Sequence, residues 1–587
     1  MCKYSSFYRQ VAIRFSLLIL SSLLGAIVGR GAPPADSLIT LASSDLPIIV
    51  IDTHGQTIPD EPKIDASMGV IDHGPGQRNL ATDPFNGYDG RIGIEIRGSS
   101  SQMFPKKQYA VETRDSTGNE LKVSLLGLPD ESDWVLYAVH NDKSLLRDVL
   151  IFTIARSIGR YASRARYCEV ILNGEYVGVY ILLEKVARGK NRVNITKLSS
   201  ADTLGDAITG GYIVKIDKTE GSETAGWYSG FPPRPGAGQR IYYQYHYPKA
   251  ENLVGAQIAY ITQYIRDFEL AMYLPSYADS ATGYPRLLDV DAFVDFVLLN
   301  EIGKNVDAYR LSCYMYKDRD SKGGRLVMGP LWDFTLAFGN CDYYDASLVE
   351  GFQWTYLTSN LAFLQTDSYQ VPFWWKKLLE DPTISEKLQQ RWNALRGNQL
   401  SLQRITTVID SLATLVNESQ QRNFLRWSIL GKYLWPNYFV GNTYTEEINY
   451  LKNWVSGRLA WLDQAFNAVS VDDSRGLARI PERFVLFQNY PNPFNPTTVI
   501  GYSVPPQERR DLTSGSHLAV PSDVRLVVYD LLGREVAVLV DEQKPPGRYE
   551  ARFSASAGDG AGLSSGVYFC RLQAGGFVAT MKMMLVR

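Results

Sequence analysis

Near residue 251 the hydrophobic pattern of this 587-residue chain changes period, and that change limits the folds open to it. Before it, short apolar and β-branched runs alternate with polar residues: LPIIVIDT at 46–53, RIGIEIRG at 91–98, KQYAVETRD, and ARYCEVILNGEYVGVYILLEKV. A period of two marks strands with one buried face. In the last run Asn173 and Gly174 separate two β-rich segments, and Asn-Gly supplies the positive φ angles of a two-residue hairpin turn. One helical pattern interrupts the strands, KSLLRDVLIFTIARSIGRY at 143–161. After 251, apolar residues recur at helical spacing in LVGAQIAYITQYI, VDAFVDFVLLNEIG, SEKLQQRWNALRG, LQRITTVIDSLATLV and EEINYLKNWVSGRLAWLDQAF. The reading is an α+β body over 38–468, sheet-rich first and mainly helical afterwards. Periodicity fades across 469–483, which reads as a linker. Short alternating strands and turns fill 484–587, the pattern of a small Ig-like β-sandwich.

Residues 1–32 have the layout of a cleavable secretory signal: basic Lys3, Arg9 and Arg14, an apolar run from Phe15 to Val28, then small residues. That run is shorter than the ~20 apolar residues of a spanning helix and is broken by Ser21 and Ser22. No later stretch is long enough to span, so the mature chain is expected to be exported without a transmembrane span. Lys plus Arg (60) nearly balance Asp plus Glu (62), which leaves no electrostatic reason to bind nucleic acid. Five cysteines are too few for a disulfide scaffold, and Cys2 falls in the leader. Pairing among Cys168, Cys313, Cys341 and Cys570 stays open.

The chemistry concentrates in NVDAYRLSCYMYKDRDSKGGRLVMGPLWDFTLAFGN, residues 305–340. Two strand-like runs, RLSCYMYK and GRLVMGPLW, flank the turn-rich DRDSKGG. Asp307 and Asp333 each lie 13 residues from Asp320, so antiparallel pairing returns both carboxylates to one end of a hairpin. Converging carboxylates need a cation or a shared proton, as in a site with one base and one metal ligand. The alternative is that Asp307 caps a turn and Asp333 satisfies backbone amides. Calcium at Asp318 and Asp320 is rejected, because Lys322 holds the next ligand position and Gly329 stands where a bidentate Glu is required. Upstream, IRGSSSQMFPKKQY offers Arg97, Ser99 and Ser100 in a small-residue turn, with Lys106 and Lys107 just beyond. Such a loop presents hydroxyls and N–H groups to phosphate, or is a solvated hairpin. Glu184 ends an apolar strand and Lys215 sits in GGYIVKID; they hold phosphates as a Lys–Glu pair or make structural ion pairs.

RGSSSQMFPKKQY, DWVLYAVHNDKSLLRD, NGEYVGVYILLEKV, NVDAYRLSCYMYKD and GPLWDF, in that order, resemble the CotH (spore coat protein H-like) family of secreted atypical protein kinases. The resemblance covers roughly residues 45–465. It implies a two-lobed, strongly modified protein-kinase fold that uses ATP with Mg2+ or Mn2+ to phosphorylate Ser or Thr of extracellular or surface proteins. It assigns Asp307 the role of the Asp that orients the acceptor hydroxyl, and Asp333 that of the metal-binding Asp. Trp332 stacks near the base or fills core. Arg147 and one of Lys106, Lys107 and Lys215 are the implied phosphate contacts. Two positions depart from the pattern: a metal-binding Asn five residues after the catalytic Asp is Ser312 here, and a second acid after WDF is Thr335. Ser312 can still offer an oxygen to a metal.

FQNYPNPFNPTTVIGYSVP, VRLVVYDLLGREVAVLVD, PPGRYEARF, LSSGVYFCRLQAGG and MKMMLVR resemble the type A C-terminal sorting domain of the type IX secretion system. That likeness implies passage through the inner membrane by the Sec route and through the outer membrane by residues 484–587, leaving the protein secreted or attached to the cell surface. The expected function is thus an exported protein kinase, the alternative a non-catalytic surface adhesin or structural module on a degenerate kinase fold.

Overall fold

The computed structural model describes residues 39–219, 225–467, 483–489, 492–505, 507–510, 517–520, 522–545, 547–555 and 563–586. The expected leader, 1–32, and all but the last residue of the expected linker, 469–483, lie outside these.

Seven strands come first: β1 (Ile48–Asp52), β2 (Ile64–Ile71), β3 (Tyr88–Arg97), β4 (Gln108–Arg114), β5 (Asp133–Tyr137), β6 (Ala165–Leu172) and β7 (Glu175–Glu184); the early alternating runs account for all of them but β2 and β5. The seven form a closed barrel in the order β1-β2-β3-β4-β5-β7-β6. Its pairings are antiparallel except the closing one, where β1 runs parallel to β6 with Ile48 opposite Glu169. Closure leaves no free edge to template pairing with another chain. The Asn-Gly turn forms between β6 and β7, with Asn173 at φ 51° and Gly174 at φ 82°. Alternation sends Ile51, Met68, Ile94, Val111, Trp134 and Leu182 into the barrel interior. The other face of the same strands, including Val135, Val179, Ile181 and Leu183, packs into the main core with helix α1 (Arg147–Ser157).

A second, five-stranded antiparallel sheet combines β8 (Tyr212–Ile216), β9 (Gly226–Tyr228), β10 (Tyr242–Tyr247), β11 (Cys313–Lys317) and β12 (Leu326–Met328) in the order β9-β10-β8-β11-β12. The helices that follow are α2 (Gly255–Tyr273), α3 (Val290–Gly303), α4 (Phe373–Leu379), α5 (Pro382–Arg396), α6 (Leu402–Leu415), α7 (Ser419–Arg426), which packs on β7 of the barrel, and α8 (Tyr444–Asn467). Asp289 caps α3 by accepting from the Ala292 N–H at 2.8 Å. Buried from Ala292 to Gly303, with the buried acids Asp295 and Glu301 both ion-paired, α3 delivers the chain directly to Asp307.

The C-terminal region holds β13 (Thr497–Val504), β14 (Ser522–Tyr529), β15 (Glu535–Lys544), β16 (Gly547–Ser554), β17 (Gly566–Ala574) and β18 (Phe577–Leu585). A three-stranded sheet of Val485–Leu486, β13 and β16, and a four-stranded sheet in the order β15-β14-β17-β18, share one core that includes Ile500, Tyr502, Leu526, Phe553 and Leu572.

The mixed helix-and-sheet class stands. The sheet-rich part, read as one lobe, is instead a closed barrel and a separate five-stranded sheet, because β1 and β6 pair across more than 100 residues and periodicity carries no sign of such a contact. The four described cysteines are free and buried. No helix among the described residues is long and apolar enough to cross a membrane.

Candidate functional site

The hairpin forms, but with Met315 opposite Met328 and Lys317 opposite Leu326 its pairing is centred between Ser321 and Lys322 rather than on Asp320, so Asp307 and Asp333 are not directly opposed; both lie beyond its open end. At the end of α3, Lys304 takes a left-handed conformation (φ 44°) and turns the chain. Its buried ammonium donates to the carbonyls of Asp345, Leu348 and Glu350 at 2.7, 3.1 and 2.6 Å. Asn305 then links the two acid-bearing loops: its Oδ1 accepts from the Asp307 N–H at 3.2 Å and its Nδ2 donates to the Asp333 carbonyl at 3.4 Å.

Asp333 is itself left-handed (φ 60°), a conformation that costs a non-glycine residue on the order of 1 kcal/mol and is kept only where neighbours enforce it. The enforcing group is Asp148, in the first turn of α1. Its Oδ1 accepts from the Phe334 N–H at 2.8 Å and its Oδ2 from the Thr335 hydroxyl at 2.9 Å. Tyr137 completes the loop, its hydroxyl 2.5 Å from Thr335 Oγ1 and donating to Asp333 Oδ1 at 3.4 Å.

A third carboxylate arrives from the end of β8. Asp217 Oδ1 accepts from the Ser312 N–H at 3.3 Å, and Lys215 Nζ stands 3.6 Å from its Oδ2. Asp333 is reached by solvent but walled by protein; burial first, then the charges of Asp307 and Asp217, push its carboxyl up to about 6. The charges of Lys218 and Arg97 pull the other way. Burial, reinforced by Asp333, pushes Asp148 up to about 7 against the opposing Phe334 and Thr335 hydrogen bonds. Asp307 accepts from Arg310 Nη2 at 3.3 Å. Burial alone would lower the Arg310 guanidinium, but Asp307 and Asp367 outweigh it and hold its pKa above the usual value.

No group of three or more His, Cys, Asp or Glu among the described residues is arranged to hold a metal ion unaided. Magnesium does not require one, since it binds through one or two carboxylates and completes its shell with phosphate and water oxygens. The hard oxygen donors of Asp333 and Asp307 fit a cation of that kind.

The other residues singled out in the sequence divide into three groups. Arg97, Ser100, Lys215, Ser312 and Trp332 lie around the acids. Arg97 sits 5.5 Å over the Trp332 ring, which stacks on Phe152 at 6.5 Å. Trp332 is partly buried and packs on core with one face. Lys218 Nζ stands 3.5 Å from Ser100 Oγ, which ties the RGSSS turn to the site. At Gly98 (φ 100°) a Cβ would come within 2.1 Å of Ser101 Oγ, so this turn requires glycine. Ser99 precedes the single turn Ser100–Met103, and Lys107 folds back onto the Gln102 carbonyl at 2.5 Å.

Lys106, Arg147 and Glu184 depart from the roles expected for them. Lys106 is 2% exposed and donates to the Val179 carbonyl at 2.5 Å and to Asn423 of α7 at 2.9 Å, on the outside of β7; burial pushes it down to about 7. Arg147 has no exposure. It is paired with Asp142 and donates to the Ala337 carbonyl at 3.1 Å, bracing the loop after Asp333 from inside the core. Glu184 is taken by Arg164, through the backbone N–H at 2.9 Å and the guanidinium at 3.0 Å, so it forms a structural ion pair. Sequence reading missed Asp148, Tyr137, Asn305, Asp217 and Lys218. Only the last two had a local signal, the KIDK that ends β8.

A family profile described as CotH kinase protein matches residues 94–462, more than half of the chain. No curated protein matches. Among solved structures the chain is similar to Pseudomonas fluorescens alkylpurine DNA glycosylase AlkC bound to DNA containing an abasic site analog, at 10% identity and TM-score 0.13. That match covers 41% of this chain and 66% of the glycosylase, just under two thirds of its length, and at that score carries no structural argument.

Proposed function

We propose that this chain, which belongs to the CotH kinase protein family, transfers the terminal phosphoryl group of ATP to Ser or Thr hydroxyls of secreted or surface proteins. The observation that carries the reading is the convergence of Asp307 and Asp333 beyond one end of the β11–β12 hairpin, with the charges of Arg97 and Lys218 acting on Asp333. In this reading Asp307 orients the acceptor hydroxyl and receives its proton, while Arg97 and Lys218 offset phosphate charge. Asp333, with Ser312 close to Asp217, would hold Mg2+ or Mn2+, which when bound neutralises charge on the bridging phosphate oxygens. Asp148 and Tyr137 keep the Asp333 loop in its strained conformation so that no reorganisation is needed on binding.

Residues 1–32 are read as the Sec signal and 484–587 as the type IX sorting domain, with the secretion machinery as its partner. A C-terminal core of its own supports treating that region as a separable module. The test of the activity is incorporation of labelled phosphate by the mature chain with ATP and Mg2+ or Mn2+, beside Asp307→Ala and Asp333→Ala. Equal incorporation by all three would sink the proposal. Export is tested by fusing 484–587 to a reporter in a bacterium with the type IX system; a reporter retained in the periplasm refutes that part alone.

A further inference from the structure

Beside the acids lies a buried arginine whose contacts go beyond what packing requires. Arg310 is 5% exposed. Its Nη2 donates to Asp307 Oδ1 at 3.3 Å, and its Nη1 to Asp367 Oδ2 at 2.7 Å and to the Tyr369 carbonyl at 3.4 Å. The guanidinium lies 5.0 Å over the Tyr344 ring, and the Tyr344 hydroxyl donates to the same Asp367 oxygen at 2.7 Å. Asp367 also accepts from the Tyr369 N–H at 2.9 Å, fixing it within its own turn. Arg310 Nε is buried without a partner, so the guanidinium is not placed where its own donors are best satisfied. The two carboxylates and the Tyr344 ring place it. A planar, rigid fork can hold two carboxylates at a set angle, which a lysine ammonium cannot.

We infer that Arg310 is a positioning residue for Asp307, and that Asp367 is the anchor through which the segment around 367–370 sets the orientation of that carboxylate. The inference rests on the phosphoryl-transfer reading, in which Asp307 meets the acceptor hydroxyl. Asp367 lies 60 residues beyond Asp307 in sequence, so this coupling brings a distant segment to the acceptor side of the site.

Asp367→Asn in the full chain keeps the shape of the anchor and removes its charge. Turnover for phosphate transfer should fall at least tenfold, while KM for ATP and the calorimetric affinity for Mn2+ with ATP stay within twofold. Arg310→Lys should show the same split. Turnover within twofold of wild type, or nucleotide affinity falling in step with turnover, overturns the inference; the second result would mean a general structural role. A wild-type chain that transfers no phosphate refutes the parent reading instead, and melting then decides whether the coupling exists. Asp307→Asn and Asp367→Asn each leave Arg310 one carboxylate and the double variant leaves none, so the double should lose more melting temperature than the two singles added together. A double variant that is simply additive overturns the inference with or without activity.

Discussion

Removing Glu301 should destabilise the protein more than any single change at the acid cluster. Glu301 and Arg458 form an ion pair at 2.9 Å with neither side chain exposed. Glu301 also accepts from the Tyr309 hydroxyl at 2.7 Å and from the Gln353 and Trp354 N–H groups at 2.9 and 3.1 Å. Breaking a buried pair by deleting one partner costs about 3–5 kcal/mol. Arg458 keeps the carbonyls of Glu301, Val349 and Gly351, which puts the broken pair at the low end of that range, about 3 kcal/mol, and three further donors orphaned at about 1 kcal/mol each bring Glu301→Ala to about 6 kcal/mol. At roughly 2 °C per kcal/mol for a body of this size, the melting temperature should drop by about 12 °C in a thermal scan followed by circular dichroism. Glu301→Met with Arg458→Met is the control: it removes the uncompensated charge but still leaves the Tyr309, Gln353 and Trp354 donors unpaired, so it should recover about half of the loss. A loss under about 1 kcal/mol for Glu301→Ala, or a double variant as damaged as Glu301→Ala, would refute the claim that an uncompensated buried charge is the cause. The site is involved too, since Tyr309 follows Asp307 by two residues and is held by the same carboxylate.

Asp148 makes stability depend on pH. Its native pKa of about 7 lies above the unfolded 3.8, so the native state holds the extra proton and stability falls as pH rises from about 4 to 7. The effect is at most about 4 kcal/mol. Asp148→Asn should flatten that slope in urea melts between pH 4 and 8, and an unchanged slope would show that Asp148 is not its source. Because Asp333 must lose its proton to hold a cation, Mn2+ affinity measured by calorimetry should weaken about tenfold per pH unit below about 6 and level off above it. Lys218→Met should weaken ATP binding about tenfold while Lys106→Met leaves it unchanged, and the reverse pattern would restore Lys106 as the phosphate contact. Lys106→Met should also cost little stability at neutral pH, since the buried ammonium is already disfavoured and Asn423 keeps its hydrogen bond from the Val179 N–H at 3.1 Å.

Much of the acid pair was legible in the chain itself. Antiparallel pairing is local arithmetic once a turn is located, so a turn near Asp320 was enough to bring Asp307 and Asp333 to one end, although the pairing itself is centred between Ser321 and Lys322. Period-two and helical patterns likewise marked β1, β3, β4, β6 and β7 of the barrel, the Asn-Gly hairpin and α3, because each depends on residues only a few positions apart. Local composition also drew attention to the RGSSS turn and to Lys215, two residues short of the acid that completes the cluster.

What the sequence could not decide were contacts across long separations. Asp148 meets Phe334 across 186 residues and Asp217 meets Ser312 across 95; the first depends on how α1 packs against the loop after Asp333, the second on the pairing of β8 with β11, where Ile216 lies opposite Cys313. The same packing determines burial, and burial separates charges that look alike in sequence. Lys106 is enclosed between β7 and α7 and Arg147 is sealed in the core, whereas the charges of Arg97 and Lys218 act on Asp333. An ionic side chain's type states what it could bind, but the surrounding dielectric and the partners already bound to it settle whether it is free to do so. Those are properties of packing, and only the tertiary structure supplies them.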